Sequence, residues 1–415
     1  MKLFKAACGQ WGKVTLLFVA VFCLMASPTY GGKKKMESLY DFKNVKTIVP
    51  KIYNEPLSEG GSVPLFPVPF DNAVGTNNYL NGITVASFPQ GKFRLDQYFK
   101  REVDDMRGSG KYLPVISEHE VGFAQDRVFY HCNFKTKKCR EHRVVFSIDE
   151  TIENLAVSDA RKKWFIFEVK EYNSRSEDHM DSTYNLQLVD VSGKEPKVIK
   201  EKNIGRGSIW TAALDRVFLW HFNRKVLEVF DLNLEPAQHP LGETIKRYKN
   251  QLDWFHRIYP HTVLPFAILT GGENEMLLSW DNKRINKLLS LFGKDNSSAQ
   301  FSFSPDGKWV TFQQGGVMDN KKTCLMPVSD KYPNYLGTPI FLMNKTFDLE
   351  DCAWTKNPVS LVCAHSDRVF RWEFTKEAQK SIMGNDADKY PTFHDYIVAK
   401  DLEKLTKEKK QGLGE

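Results

Sequence analysis

Hydrophobic and polar residues alternate along most of this chain in short runs, with the two-residue period of half-buried strands. The clearest run spans 300–313 and reads Q-F-S-F-S-P-D-G-K-W-V-T-F-Q. Two β-rich halves flank a turn in which proline presets φ, aspartate bonds its own backbone and glycine accepts a positive φ. The residues of this predicted structural turn are Ser304, Pro305, Asp306 and Gly307. The whole stretch therefore predicts a β-hairpin.

Looser versions of this hairpin recur from about residue 112 to residue 375, with turn signals about every 8–12 residues. The sequence Asp-Arg-Val-Phe begins at residues 126, 215 and 367, so its copies are 89 and 152 residues apart. These offsets fit about two and three units of roughly 45–50 residues. A unit of four short strands cannot bury both faces alone, and radial stacking buries them against neighbouring units. The pattern predicts an all-β propeller of six or seven four-stranded blades.

The remaining segments complete the predicted domain organisation. Residues 1–26 are a signal peptide, 27–60 a short irregular N-terminal arm, 61–375 the β-propeller, and 376–415 a C-terminal extension with a charged helix. Inside the propeller, one stretch departs from the strand pattern. Apolar residues recur at spacings of four, four and three over 93–107, which predicts a short amphipathic helix.

The N-terminus has the layout of a secretory signal peptide. Lys2, Lys5 and Lys13 precede an uncharged apolar run over 14–25, and small residues follow at Ala26 and Ser27. The predicted location is therefore exported, either periplasmic or extracellular. The alternative is an uncleaved leader, which would be the only membrane attachment expected. Cleavage removes three lysines and no acidic residue, lowering the formal charge from +7 to +4. So mild an excess does not indicate nucleic-acid binding.

Cysteine spacing predicts two cross-strand disulfides, because an exported protein meets an oxidising compartment. Cys132 and Cys139 flank one polar turn, Cys352 and Cys363 flank another, and Cys324 would be left over. The alternative is that all five cysteines after the leader are buried thiols. No Cys-x-x-Cys or clustered Cys/His spacing occurs, so zinc and c-type haem are not expected and no cofactor is predicted.

The stretch 303–310, F-S-P-D-G-K-W-V, resembles the repeat of TolB-type β-propellers, which are relatives of WD-repeat propellers. A partial copy begins at Ser158. The same repeat occurs in the propeller domains of prolyl oligopeptidases and in oligogalacturonate lyases. The resemblance implies a propeller in which the turn residues serve structure, and it implies almost nothing about function.

No catalytic motif is present in the sequence. The stretch 205–208, G-R-G-S, lacks the second glycine of a nucleophile elbow, and no phosphate-binding loop occurs. The resemblance to oligogalacturonate lyases raises a metal hypothesis, in which His256 and His261 line the central opening with His221 or His365 as partners. A histidine in a strand-rich protein is more often a half-buried packing residue, so no catalytic, cofactor or metal residue is assigned. The tryptophans are expected to pack between blades.

The expected function is that of an exported, non-enzymatic binding or scaffold protein. It would recognise a partner protein, or a cell-envelope or carbohydrate ligand, through one face of the disc. The alternative is a carbohydrate-active propeller enzyme, similar to oligogalacturonate lyases or a glycoside hydrolase, with a metal or acid/base site at the central opening. An enzyme should gather carboxylates or His and Arg groups around that opening, whereas a scaffold should not.

Overall fold

The computed structural model describes most of the chain beyond the predicted leader. The described ranges are 48–54, 65–78, 82–99, 115–147, 149–172, 182–248, 257–270, 275–289, 300–314, 322–342, 351–365 and 368–412. The leader itself, 1–26, lies outside them. Within these ranges, no helix is both long enough and apolar enough to cross a membrane.

The strands form seven antiparallel sheets, which are the blades of a propeller. The first strand, β1 (Lys51–Tyr53), belongs to the last blade. Blade 1 contains β2 (Leu65–Pro67), β3 (Ala73–Asn78), β4 (Gly82–Ser87) and β5 (Arg94–Phe99). Blade 2 contains β6 (Val115–Ser117), β7 (Glu120–Gln125), β8 (Val128–Asn133) and β9 (Lys138–Arg143). Blades 3 and 4 contain β10 (Glu150–Asp159), β11 (Trp164–Glu171), β12 (Thr183–Asp190), β13 (Lys197–Asn203), and then β14 (Ser208–Ala213), β15 (Arg216–His221), β16 (Val226–Asp231).

The remaining three blades follow the same order. Blades 5 and 6 contain β17 (Arg257–Pro260), β18 (Phe266–Thr270), β19 (Glu275–Ser279), β20 (Arg284–Leu289), and then β21 (Gln300–Phe303), β22 (Trp309–Gln314), β23 (Lys322–Pro327), β24 (Ile340–Phe341). Blade 7 contains β25 (Asp351–Thr355), β26 (Ser360–His365), β27 (Arg368–Glu373) and β1. Only blade 4 has three described strands. The predicted β-propeller is confirmed, with seven blades.

Burial distinguishes the inner strands from the outer ones. The last strands of blades 2 and 3, β9 and β13, are exposed at most positions, as expected at the rim. The first strands of adjacent blades contact each other instead: β2 of blade 1 contacts β25 of blade 7, and β14 of blade 4 contacts β17 of blade 5. The first strand of each blade therefore faces the central axis, where propeller blades converge.

Aromatic side chains fill the spaces between blades. Phe129 of blade 2 packs against Phe165 and Phe167 of blade 3, with ring centroids 4.7 and 5.3 Å apart. Tryptophans enter the same kind of cluster, in line with the packing expected of them; these are Trp210, Trp220, Trp280, Trp309, Trp354 and Trp372. Trp254 lies outside the described residues. Such contacts bury faces that each blade would otherwise expose.

The turn that joins β21 to β22 has the chemistry expected from its sequence. The Ser304 hydroxyl donates to Asp306 Oδ1 at 2.6 Å and accepts the backbone N–H of Trp309 at 3.0 Å. Gly307 has a φ of +68°, which favours glycine. A Cβ there would also lie 2.9 Å from the ring of His261 in the neighbouring blade. The turn is thus fixed both by its own residues and by blade 5.

The helix expected over 93–107 is wrong where the structure describes it. Residues 94–99 form β5, which pairs with β4 along most of its length. Residues 100–107 lie outside the described ranges. A blade needs a fourth strand to cover its outer edge, and this pairing outweighs a helical spacing that spans only a few turns.

Helices lie at the edge of the disc and after it. The described α-helices are α1 (Pro240–Tyr248), α2 (Lys380–Met383) and α3 (Phe393–Gly412), and short 3-10 helices occur at Pro89–Gly91 and Gly384–Lys389. The segment before α1 covers the outer edge of blade 4, where the N–H of Ala237 bonds the carbonyl of Val229 at 2.9 Å. This contact occupies the place of a fourth strand.

The charged C-terminal helix is confirmed, and its first half packs on the propeller. Phe393 and Ile397 are buried in the core shared with blades 6 and 7. The Asp401 carboxylate accepts the hydroxyl of Tyr332 at 3.1 Å and the backbone N–H of Thr338 at 2.9 Å. Apolar residues at the start of α3 therefore dock it against blade 6, whereas Lys404 and Lys407, further along the helix, are exposed.

The last blade is completed by the N-terminal segment. β1 lies inside the range assigned to the irregular arm, yet it pairs with β27 as an outer strand, with Ile52 opposite Phe370. The indole N–H of Trp372 contacts the carbonyls of Ile48 at 3.1 Å and Leu342 at 2.8 Å. The first and the last described strands of the propeller thereby belong to one blade.

A buried arginine joins the last blade to the first. Arg371 is 2% exposed, and its guanidinium lies 3.1 Å from the Glu373 carboxylate and donates to Ser360 Oγ at 3.2 Å. It also donates to Asn72 Oδ1 of blade 1 at 2.6 Å and lies 4.6 Å from the centroid of the Phe88 ring. Each partner satisfies part of a charge that would otherwise be costly to bury.

Replacing Arg371 with leucine should therefore destabilise the ring. We expect Arg371→Leu to lower the free energy of unfolding by about 1–3 kcal/mol, because it leaves the half-buried Asn72 Oδ1 without its donor and the half-buried Glu373 with Lys51, at 3.5 Å, as its remaining ion-pair partner among the described residues. Arg94→Leu is the control, since it removes an exposed ion pair with Asp96 and should cost less than about 1 kcal/mol. Urea titration measures both values. Equal losses in the two variants would contradict this role for Arg371.

Candidate functional site

A cavity of about 290 Å³ opens between the first strands of blades 3, 4 and 5. Its lining residues are Asn154, Leu155, Ala156, Ile209, Trp210, Thr211, Ala212, Phe218, Arg257, Ile258 and Tyr259. Because first strands face the axis, the cavity lies beside the central opening. This is where the enzyme hypothesis from the sequence placed a metal or acid/base site.

Local sequence explains why space remains there. β14 places the small side chains of Thr211 and Ala212 directly after a bulky Trp210. On β17, Ile258 is buried in the core that blade 5 shares with blade 4. Its neighbours Arg257 and Tyr259, which alternate with it, are exposed and half-buried. The result is a mostly apolar wall that carries a few polar groups.

Glu168 stands behind this wall, in the middle of β11 and opposite Asn154 in the strand register. Its carboxylate accepts the indole N–H of Trp210 at 2.9 Å. The pKa of Glu168 is raised to about 7. Burial is the main cause and the nearby Glu153 carboxylate adds to it, while the Trp210 hydrogen bond opposes the shift. Glu168 therefore exchanges a proton near neutral pH, next to the cavity.

Tyr259 and Arg257 supply the other polar groups of the cavity. The Tyr259 hydroxyl is buried and has no hydrogen-bond partner among the described residues. Burying a hydroxyl in this way costs free energy unless a ligand or water satisfies it. Arg257 carries a permanent positive charge at an exposed position. Together these groups suit a compact ligand that bears hydroxyl or carboxylate groups.

The histidines of the metal hypothesis have other partners. His261 Nε2 donates to the carbonyl of Gly307 at 2.9 Å, and its Nδ1 accepts the N–H groups of Val263 and Leu264 at 3.1 and 2.8 Å. Nε2 thus joins blade 5 to the turn of blade 6, and Nδ1 fixes the loop of blade 5 that contains His261, so both ring nitrogens are occupied. Burial lowers the pKa of His261, which favours the neutral ring that these bonds require.

His221 belongs to a polar chain between blades 3 and 4. Its Nδ1 lies 2.8 Å from Ser208 Oγ and its Nε2 lies 3.2 Å from Glu228 Oε1, and Glu228 also pairs with Lys202 at 3.1 Å. His256 and the side chain of His365 lie outside the described residues. Within that part of the chain, no group of three or more His, Cys, Asp or Glu residues is arranged to hold a metal.

The predicted cysteine pairs lie directly opposite each other on adjacent strands. Cys132 and Cys139 Sγ atoms are 1.99 Å apart, and those of Cys352 and Cys363 are 2.01 Å apart. Both pairs are therefore at disulfide distance. Cys324 is a buried thiol on β23.

The cavity residues themselves were missed in the sequence. Arg257, Tyr259 and Asn154 carry no distinctive signal in the sequence. Glu168 did carry one, because it interrupts the run W-F-I-F-E-V over 164–169. A lone carboxylate between residues that will be buried on both sides is a candidate for a raised pKa.

Comparison with known proteins adds little to this picture. No protein-family model matches the chain, and no curated protein matches it. One similar solved chain belongs to a structure titled "Crystal Structure of Mitotic Checkpoint Complex". It is 11% identical with a TM-score of 0.48, covering 84% of this chain and 99% of that one. The fold assignment therefore rests on the strand topology of the chain itself.

The raised pKa of Glu168 predicts a pH-dependent stability. Between the ordinary glutamate pKa and about 7, the unfolded chain loses this proton more readily than the folded chain, so stability falls as pH rises through that window. Glu168→Gln removes this loss of stability, and the amide oxygen of the new side chain can still accept the hydrogen bond of the Trp210 indole. We expect the variant to gain up to about 3 kcal/mol over the native protein between pH 4 and pH 8. Thermal and urea unfolding at both pH values measures this difference.

The control is Glu171→Gln, which changes an exposed residue on the same strand. Its stability should follow that of the native protein at both pH values. A Glu168→Gln curve parallel to the native one would show that this carboxyl does not titrate in the expected range.

Proposed function

We propose that this protein is an exported TolB-type β-propeller that binds a compact, hydroxyl- or carboxylate-bearing group in the cavity beside its axis. The group belongs to an envelope carbohydrate or to a partner protein. The observation that supports binding is the combination of a mostly apolar cavity with the unpartnered hydroxyl of Tyr259 and the cation of Arg257. The cavity is close to the lower size limit of small-molecule sites, about 300 Å³.

The chemistry of the cavity suits recognition more than turnover. Leu155, Ile209 and Ile258 offer apolar contact area, which supplies affinity without reacting. Arg257 selects an anion, and the Tyr259 hydroxyl fixes orientation through one hydrogen bond. A ligand that satisfies a hydroxyl already buried in the free protein gains more than one that must first displace a bound water.

A variant that leaves the fold unchanged tests this site. Tyr259→Phe should leave thermal stability unchanged or slightly higher, because the hydroxyl it removes has no partner among the described residues. We expect it to weaken binding of galacturonate about two- to tenfold, the loss of one hydrogen bond. Thermal shift and calorimetry against galacturonate and neutral galactose measure the effect. The matched control is Tyr390→Phe, which changes a tyrosine beside α3.

Equal affinities for the native protein and Tyr259→Phe would contradict the cavity as the binding site. Failure of both sugars to bind the native protein would remove the carbohydrate branch and leave a partner side chain as the ligand.

Export is supported by two independent features. The N-terminal sequence has the order of a signal peptide, and two cysteine pairs lie at disulfide distance on adjacent strands. Disulfides persist in oxidising compartments and are rare in the cytosol. Both features fit a periplasmic or extracellular protein.

Mass-spectrometric mapping of the protein, purified without reductant, tests export. We expect a mature N-terminus near Ser27 and linked peptides for Cys132 with Cys139 and for Cys352 with Cys363. The Cys324 peptide, from the buried thiol, is the internal control and should be alkylated only after denaturation. An intact Met1 together with five alkylatable cysteines in the denatured, unreduced protein would contradict an exported, oxidised protein.

A carbohydrate-active enzyme is the second candidate, and one specific observation favours it. Glu168 has a pKa of about 7 and lies near the Glu153 carboxylate, and a general acid needs such a pKa. The galacturonate experiment, extended to oligogalacturonates, separates the two functions. Product formation that Glu168→Gln abolishes while binding persists would establish an enzyme. Binding without product in the native protein would support recognition.

A further inference from the structure

A hairpin at the rim of blade 2 carries an unusual density of positive charge. We call residues 133–143, the turn after β8 together with strand β9, the cationic hairpin. It contains a single carboxylate, that of Glu141, and five exposed cations: Lys135, Lys137, Lys138, Arg140 and Arg143. This stretch is far more basic than the chain as a whole, whose formal charge is +7 over 415 residues.

Among the described residues, these cations have no ion-pair partner. No carboxylate of the described residues lies within ion-pair distance of any of the five. On the adjacent blade, by contrast, Lys200 pairs with Glu235 at 2.6 Å and Lys202 pairs with Glu228 at 3.1 Å. Lysines on one rim strand are therefore paired within the protein, whereas those of the cationic hairpin face solvent and remain available to an external anion.

The cationic hairpin is also held in one shape. Cys132 and Cys139 lie at disulfide distance across its base. Phe134 is buried against Phe70 and Tyr98, with ring centroids 4.9 and 5.3 Å apart. The N–H of Thr136 bonds the side chain of Asn133 at 3.0 Å within the turn. A charged turn anchored in this way loses little conformational entropy when it binds a ligand.

Among the described residues, Arg140 and the groups beneath it do not offset the positive charge of the cationic hairpin. Its guanidinium donates to the carbonyl of Gly193 in blade 3 at 2.7 Å. Below it, His142 is buried, and burial together with Arg140 lowers its pKa to about 4, so the ring is neutral at ordinary pH. The carboxylate packed on this side, Glu120, lies 3.4 Å from His131. In the part of the chain that the structure describes, no carboxylate therefore forms an ion pair with a cation of the cationic hairpin.

We propose that the cationic hairpin is a docking site for an acidic polysaccharide. Two cysteine pairs at disulfide distance indicate an oxidising compartment, where neither nucleic acid nor the anionic cytoplasmic leaflet is the expected partner. Lys138 and Arg140 project from the same side of β9 and lie roughly 7 Å apart along the strand. A stiff chain with regularly repeated carboxylates or sulfates matches such a fixed row of charges.

An acidic peptide is the competing occupant, and the geometry favours it less. A flexible peptide loses backbone entropy when it binds and usually recovers it by burying apolar anchors in a pocket. The cationic hairpin offers instead an exposed row of cations with aromatic faces beside it, Tyr98 under Lys137 and Phe146 beside Arg143. These flat faces suit the C–H side of a sugar ring. The site uses none of the residues of the axial cavity.

The test compares two variants of the full-length protein with the same change in charge. Lys135, Lys137 and Lys138 are replaced by glutamine in the first, and the exposed Lys331, Lys380 and Lys407 in the control. Binding to polygalacturonate, dextran sulfate, uncharged dextran and poly-glutamate is measured by calorimetry at several salt concentrations. The two charged polysaccharides, polygalacturonate and dextran sulfate, distinguish recognition of carboxylates from recognition of sulfates. Unfolding curves check that both variants remain folded.

We expect the native protein to bind at least one charged polysaccharide and not uncharged dextran. The first variant should bind at least about tenfold more weakly and show a shallower dependence on salt, because fewer counterions are released. The control should bind within about twofold of the native protein. Replacing the same three residues of the cationic hairpin with arginine should preserve binding, which separates a loss of charge from a loss of structure.

Three outcomes would overturn the proposal. The first is no binding of either charged polysaccharide at about 0.15 M salt, where exposed charges are well screened. The second is an equal loss in the control variant, which would show general charge attraction. The third is tighter, hairpin-dependent binding of poly-glutamate than of either polysaccharide, which would identify an acidic protein segment as the partner.

Discussion

The closed ring depends on the contacts of one buried cation. Arg371 belongs to blade 7, yet it bonds Asn72 and packs on Phe88, both of blade 1. A propeller is stable only when every blade face is covered, and blade 7 is itself completed by the non-covalent pairing of β1 with β27, so its junction with blade 1 depends on specific side-chain contacts. A guanidinium with several fixed donors suits such a junction, because its geometry specifies which groups meet.

Ring closure also makes the axial cavity possible. The inner strands of blades 3, 4 and 5 are held apart at fixed distances by the aromatic packing between blades, which leaves a gap where β14 carries small side chains. Water is largely excluded behind that gap, so a single hydrogen bond from Trp210 and a neighbouring carboxylate have large effects on Glu168. The rim has the opposite environment, and there the cationic hairpin keeps its charges hydrated and exposed.

Sequence reasoning found structural residues more readily than site residues. Ser304 and Gly307 were recognisable because turn chemistry leaves a signature within four residues. His261 attracted notice as a metal ligand, but it supports that same turn from the next blade. Glu168 was overlooked because the strand pattern alone does not show how deeply its carboxylate is buried. That burial depends on which blades pack beside β11.

The sequence by itself determined the hairpins, the turn at 304–307, the cysteine pairs and the all-β class, because each depends on residues close together in the chain. Tertiary structure decided the rest. It made a strand of 94–99 instead of a helix, and it paired β1 with β27, with the indole of Trp372 bonding Ile48 across 324 residues. It also built the cavity from strands of three separate blades. Such features depend on which distant surfaces pack together, and no local pattern of residues specifies that packing.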